Sequence, residues 1–162
     1  MIPDFEHKLC EPCALPARAA ALPRPLVMTN GVFDLLHRGH VSYLAQARAL
    51  GASLVVAVNS DDSVRRLSKG RGRPLNSCED RMVVLAALSS TSLLTWFDDN
   101  DASRLVALIR PDVYVKGGDY ALGLTAEGRV ARRLGARLRA LRFVQGYSTS
   151  EIIRRIVRHE TA

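Results

Sequence analysis

The stretch Leu26-Val27-Met28-Thr29-Asn30-Gly31-Val32-Phe33-Asp34-Leu35-Leu36-His37-Arg38-Gly39-His40 decides the fold class. Its apolar opening, residues 26–29, has the length of a buried strand, and Asn30-Gly31 turns the chain. Two histidines three apart then lead into a helix over residues 40–50. Val41, Leu44, Ala45 and Ala47 fall on one face of that helix, and Gly51 stops it. A strand that hands over to a helix in this way opens an α/β unit. The N-terminus of such a helix carries unpaired N–H groups and a partial positive charge, so both imidazoles stand where a phosphate is favoured.

Outward from this stretch the alternation continues. Residues 53–59 form a continuous apolar run, the pattern of a parallel strand covered on both faces. Helices are predicted at 61–67 and at 79–88, the second capped by Ser77, and between them lies a polar, glycine-bearing loop at 68–74. Strands at 93–97, 112–116 and 137–144 alternate with helices at 102–109, 127–134 and 149–158. This rhythm predicts a doubly wound, Rossmann-like α/β domain over residues 24–162, with a mostly parallel sheet and helices on both faces. Residues 1–23 hold four of the seven prolines and no sustained period, which predicts an arm or extension outside the core.

A chain of 162 residues suits one domain and buries a core without disulfide or metal staples. No apolar run approaches the roughly 18–20 residues of a membrane span. The start Met-Ile-Pro-Asp-Phe-Glu lacks a basic segment followed by an apolar block. Membrane insertion is therefore not expected, and the cytoplasm is the expected compartment. The lone Cys10-x-x-Cys13 lacks the second ligand pair of a zinc site, and Pro12 and Pro16 crowd it. It is read as an incidental pair. The net charge of +7 invites a nucleic-acid reading, but aromatic residues are only 6% and are not interleaved with the basic ones. The excess sits in Arg129, Arg132, Arg133, Arg137, Arg139, Arg142, Arg154, Arg155 and Arg158. These are read as a solvated face whose potential speeds the approach of triphosphates, with no nucleic-acid partner.

Four blocks carry chemistry, each at the carboxyl end of a predicted strand, where doubly wound sheets bind ligands. In the first, Asn30, Gly31, Val32, Phe33, Asp34 and Gly39 form a nucleotide-binding turn around His37 and His40, the expected catalytic pair. Attack on an α-phosphorus builds charge on its oxygens and on leaving pyrophosphate, and imidazole N–H donors meet that charge. Asp34 is placed to fix the turn or to orient a histidine. The second block, Lys69-Gly70-Arg71-Gly72-Arg73, sets cations on a loop able to close over phosphates, with Lys69 as a catalytic candidate and Arg73 as a phosphate ligand. It lacks the spacing of a Walker P-loop.

In the third block, Lys116-Gly117-Gly118-Asp119-Tyr120, the glycines admit a nucleotide, Asp119 suits sugar hydroxyls or a metal, and Lys116 suits a phosphate. In the fourth, Gly146, Tyr147, Ser148, Thr149 and Ser150 open the last helix as a second anion nest, an N-cap, or both. Asp61 and Arg81 are read as a structural ion pair. No serine has the histidine and carboxylate partners of a hydrolase triad.

These strings, with Val41-Ser42-Tyr43-Leu44, Val58-Asn59-Ser60-Asp61 and Arg110-Pro111-Asp112, resemble the heptose 1-phosphate adenylyltransferase family of the HxGH nucleotidyltransferases. The Lys-Gly-Gly-Asp-Tyr string separates that family from the similar glycerol-phosphate cytidylyltransferases. The resemblance implies AMP transfer from ATP to D-glycero-D-manno-heptose 1-phosphate, with Mg²⁺, for the lipopolysaccharide inner core. It also implies a homodimer in the cytoplasm of Gram-negative bacteria. By the same carry-over His37 and His40 stabilise the α-phosphate, and Lys69 and Arg73 grip phosphates. Gly118, Asp119, Ser148 and Thr149 line the nucleotide pocket. Many members carry a fused sugar kinase, so a separate heptose kinase is expected here. Residues 121–128 depart from the usual family connection. The competing readings are a cytidylyltransferase for a polyol or other sugar phosphate, and a nucleotide- or nucleic-acid-binding regulator without turnover.

Overall fold

The computed structural model describes residues 3–67, 72–118, 122–142 and 144–160, with residues 159 and 160 described by backbone alone. A short 3-10 turn, Asp4–Lys8, precedes helix α1, Leu15–Ala20. There follow β1 (Leu26–Gly31), α2 (Arg38–Arg48), β2 (Ser53–Asn59), α3 (Asp61–Arg66), α4 (Cys78–Ala86) and β3 (Leu93–Phe97). The second half runs α5 (Ser103–Ile109), β4 (Val113–Gly117), a 3-10 turn at Leu122–Leu124, α6 (Ala126–Arg133), β5 (Arg137–Leu141) and α7 (Thr149–Glu160). The strands form one parallel sheet in the order β3-β2-β1-β4-β5, the doubly wound arrangement expected.

Strand periodicity sorts the core into two layers. Leu26 and Met28 of β1, with Val55 and Ala57 of β2, face α1, α5 and α6 through Leu15, Ala19, Leu105, Val106 and Ala131. The alternate residues Val27, Leu54, Val56 and Val58 face α2 and α4 through Tyr43, Leu44, Ala47, Met82 and Leu85. Every residue of β2 is buried, which is why Leu54 to Val58 run unbroken apolar instead of alternating. β5 lies at one edge with its Arg137 and Arg139 in solvent, and the other late arginines are exposed too, as the solvated-face reading expects. Among the described residues no helix is long and apolar enough to cross a membrane.

The N-terminal segment differs from expectation. It is not an arm outside the core: Cys10, Leu15 and Ala19 are buried within it. Leu9 bridges to Leu94 on the outer edge of β3, and Lys8 Nζ donates to the carbonyls of Ala86 and Leu88 at 2.8 and 2.9 Å. The segment thus covers an exposed sheet edge and satisfies carbonyls left open at the end of α4. Its partners lie some eighty residues away, so no local period announces them. Cys10 and Cys13 are both free thiols.

Leu15→Ala should cost about 2–5 kcal/mol, the range for emptying a filled core site, read as a lower urea midpoint. A loss below about 0.5 kcal/mol, typical of surface sites, would show that the segment is dispensable.

Candidate active site

Strand order reverses between β1 and β4, and a cleft of about 690 Å³ opens at their carboxyl ends. Asn30, Gly31, Val32, Phe33 and Asp34 form one wall. His40 and Tyr43 enter from α2, Lys116 and Gly117 from β4, and Thr149 and Ser150 from the start of α7. Arg73 reaches in from the loop ahead of α4. Buried hydroxyls anchor the wall from behind. Tyr114 donates to Asn30 Oδ1 at 2.5 Å, and the Tyr43 hydroxyl meets Thr29 Oγ1 at 2.6 Å. Burial pushes both phenols far up, so they stay protonated.

The histidine pair follows from the backbone at the start of α2. That helix begins at Arg38, two residues earlier than its apolar spacing suggests, because His37 itself is the N-cap. Its Nδ1 accepts from the His40 N–H at 3.3 Å. The two rings stack with centroids 3.8 Å apart and an 18° interplanar angle. Phe33 meets His40 edge-on at 5.2 Å, and its backbone stands in the left-handed region at φ 50°. Gly31 makes room for this: a Cβ there would lie 3.0 Å from the Phe33 ring. Gly39 has the same role, since its Cβ would lie 3.0 Å from the His37 ring and 3.2 Å from Tyr147 Cβ.

Burial pulls the His37 imidazole below its ordinary pKa. With Nδ1 accepting from the backbone, the neutral ring carries its proton on Nε2 and presents a donor. A second donor array comes from α7, whose first turn brings Thr149 and Ser150 to the cleft. Ser148 caps that helix by accepting from the Glu151 N–H at 3.1 Å. Tyr147 packs over Gly39, and its hydroxyl lies 3.4 Å from Arg38 Nη1.

Asp34 departs from one of its two expected roles. It fixes the turn but is recorded on no histidine. Its Oδ1 accepts from the Leu75 and Asn76 amides at 2.8 and 3.1 Å, and its Oδ2 stands 2.5 Å from Arg73 Nε. The carboxylate therefore ties Arg73 and the segment ahead of α4 to the cleft. Arg81 likewise is structural, as expected. Fully buried, it pairs with Asp61 at 2.8 Å and donates to the carbonyls of Val32, Asn59 and Asn76.

Among the remaining sequence candidates, Gly118 donates to the Leu141 carbonyl at 2.8 Å and continues the β4–β5 ladder, while Gly146 turns the chain at φ 82° ahead of α7. Gly118, Gly146, Tyr147 and Ser148 flank the cleft without lining it. Lys69 and Asp119 lie outside the described residues. The sequence reading missed Thr125 and Glu127, both on the cleft wall, and gave Tyr43 no role. The departure of residues 121–128 from the family pattern was the available signal for the first two.

Residues 28–155 match the cytidylyltransferase-like family, and the chain belongs to it. More particularly, it is 49% identical over 154 residues to the D-beta-D-heptose 1-phosphate adenylyltransferase of Bordetella bronchiseptica, covering 94% of this chain and 95% of that one. It is 53% identical over 132 residues to the bifunctional protein HldE of Shewanella amazonensis, covering 82% of this chain and 28% of that protein's length. A solved lipopolysaccharide core biosynthesis protein from Thermoplasma volcanium superposes with a TM-score of 0.60 at 28% identity, covering 76% of this chain and 98% of that one. A pantothenate synthetase from Thermus thermophilus, at 19% identity and TM-score 0.54 over 80% and 60% of the two chains, shares the fold alone.

Because the folded pKa of His37 lies below the unfolded value of about 6.5, the unfolded chain takes up the proton first. Its contribution to stability is whole above that value and is lost as pH falls from it toward the folded pKa. The urea midpoint should drop between pH about 7.5 and about 5.5, and less so in His37→Asn, which keeps an N-cap acceptor. An equal drop in both proteins would contradict the assignment.

Proposed function

We propose that this protein transfers AMP from ATP to D-glycero-D-manno-heptose 1-phosphate, yielding ADP-heptose and pyrophosphate for the lipopolysaccharide inner core. A phosphate oxygen of the sugar phosphate attacks the α-phosphorus, a new P–O bond forms, and the bond to pyrophosphate breaks. The observation that carries this reading is the stacked histidine pair on the first turn of α2, facing a cleft that a second helix N-terminus also enters. Near-full-length identity to the Bordetella enzyme supports the acceptor.

In this reading His40 on the cleft wall and His37 behind it donate to the oxygens on which charge develops, at a terminus already polarised to receive it. Thr149 and Ser150 offer hydroxyls and amides from the opposite side, and Lys69 and Arg73 neutralise phosphates. Asn30 to Phe33 and Lys116 hold the nucleotide, aided by Asp119. Gly39 supports them by letting the His37 ring and Tyr147 close in.

Asp34 and Glu127, the carboxylates on the cleft wall, each already face a cation. Among the described residues no three His, Cys, Asp or Glu side chains gather as a metal group. This donor set fits Mg²⁺ held by phosphate oxygens and water and arriving with ATP, as is common for that ion. Bound there, it supplies further charge neutralisation on the triphosphate. A heptose kinase activity supplies the acceptor, and the reaction runs in the cytoplasm, in a homodimer.

His40→Ala should lower kcat about a hundredfold to a thousandfold, the cost of one lost transition-state donor, with the melting temperature held. Pyrophosphate release, measured with ATP or CTP against a panel of sugar and polyol phosphates, reads this directly. Preference for CTP, or for an acceptor other than heptose 1-phosphate, would overturn the substrate assignment.

A further inference from the structure

Thr125 and Glu127 line the cleft and have no role in the reading above, although they lie in the stretch that departs from the family pattern. Both are held firmly. Thr125 caps α6 by accepting from the Gly128 N–H at 3.0 Å. A Cβ on Gly128 would stand 1.8 Å from the Leu122 carbonyl oxygen, so the first turn of α6 sits directly on the preceding turn. Glu127 is thereby fixed with its side chain only 10% exposed and Oε1 3.6 Å from Lys116 Nζ. That spacing is an ion pair longer than a hydrogen bond, and a carboxylate has about four acceptor sites. No hydrogen-bond donor is recorded on Glu127 among the described residues.

A carboxylate repels phosphate, so the substrate group facing Glu127 is uncharged. Apart from Lys116, which Glu127 already faces, the donors for phosphate lie on other walls: His40 with the start of α2, the first turn of α7, and Arg73. The acceptor sugar brings its own phosphate and so belongs beside Arg73, on the β2 side of the cleft. Glu127 stands on the β4 side, across the switch in strand order. This flank is left for the nucleoside, whose ribose hydroxyls and base amine are uncharged donors.

Resting on the proposed transfer reaction, we infer that Glu127 is a specificity-determining residue that accepts a hydrogen bond from an uncharged donor of the nucleoside. A carboxylate offers acceptors only, which suits it to a donor of this kind. Ribose and base share this chemistry, and the test separates them. Binding of ATP, 2′-deoxy-ATP, 3′-deoxy-ATP and the purine riboside triphosphate lacking the 6-amino group is measured by calorimetry on the wild type and on Glu127→Gln.

ATP should bind about tenfold or more weakly to the variant, the range for a hydrogen bond to a charged group. The analogue missing the recognised donor should bind the wild type as weakly, and lose nothing further in the variant. An equal loss on every ligand would mean that Glu127 only steadies Lys116, and unchanged ATP affinity would mean that it meets no nucleoside; either overturns the inference. Should Glu127→Gln fail to fold, Glu127→Asp, which keeps the charge but withdraws it by one methylene, is read for the same pattern. A wild type that binds ATP yet releases no pyrophosphate with heptose 1-phosphate would instead strike the proposed reaction and leave the role of Glu127 standing.

Discussion

A buried cation, Arg81, braces the β1–β2 side of the cleft. Its guanidinium gathers the carbonyls of Val32, Asn59 and Asn76 and the carboxylate of Asp61, thus joining the turn after β1, the end of β2 and the segment ahead of α4. Placing a charge there is tolerable because three carbonyls and a carboxylate accept from it. Removing one partner would strand the rest. The turn that carries Val32, Phe33 and Asp34 is therefore braced from behind, and its front face is left to the cleft. Asp34 extends the same bracing forward, because its two oxygens hold the Leu75 and Asn76 amides and the Arg73 guanidinium.

This bracing matters because the chemistry asked of the site is electrostatic. In the proposed transfer no covalent intermediate on the protein is required, so rate comes from donors already in place when charge develops. Two helix N-termini supply such donors, from α2 and α7, and the sheet topology makes them converge. With β1 central and its neighbours wound in opposite senses, the loops leaving β1 and β4 part and leave a crevice between them. Gly31 and Gly39 let aromatic and imidazole rings pack against the main chain, which brings the His40 ring to the crevice.

What the sequence made legible divides along the same lines. The sheet, its helices and the histidine turn were readable because each is a local pattern: an unbroken apolar run for β2, a glycine and two histidines at fixed offsets for the start of α2. The packing of Leu15 and Ala19 was not readable, since a six-residue helix has no periodicity to display and its partners lie far along the chain. Asp34 beside Arg73 is likewise a long-range pairing, and the sequence left open whether the carboxylate served the turn or a histidine. Thr125 and Glu127 escaped because a capping threonine followed by a glutamate in the first helical turn is ordinary helix chemistry. Only the folded chain shows that this helix start borders the cleft.

The distribution of charge within the cleft gives its walls direction. Among the described residues, its two carboxylates each face a cation, yet in different ways. Asp34 is fully buried, its Oδ1 accepting from two amides and its Oδ2 facing Arg73, so it serves to fix the turn and that arginine. Glu127 stands off from Lys116 by more than a hydrogen bond and keeps acceptor capacity facing the open space. A site whose sole task was to collect phosphate would gain from replacing that glutamate with a neutral residue, since each negative charge on the wall opposes a triphosphate. That the carboxylate sits on the flank away from Arg73 orients a ligand that is anionic along one part and hydroxylated along another. That polarity is the basis for the proposed placement of a nucleotide across the switch point, nucleoside toward β4 and reacting phosphorus toward α2.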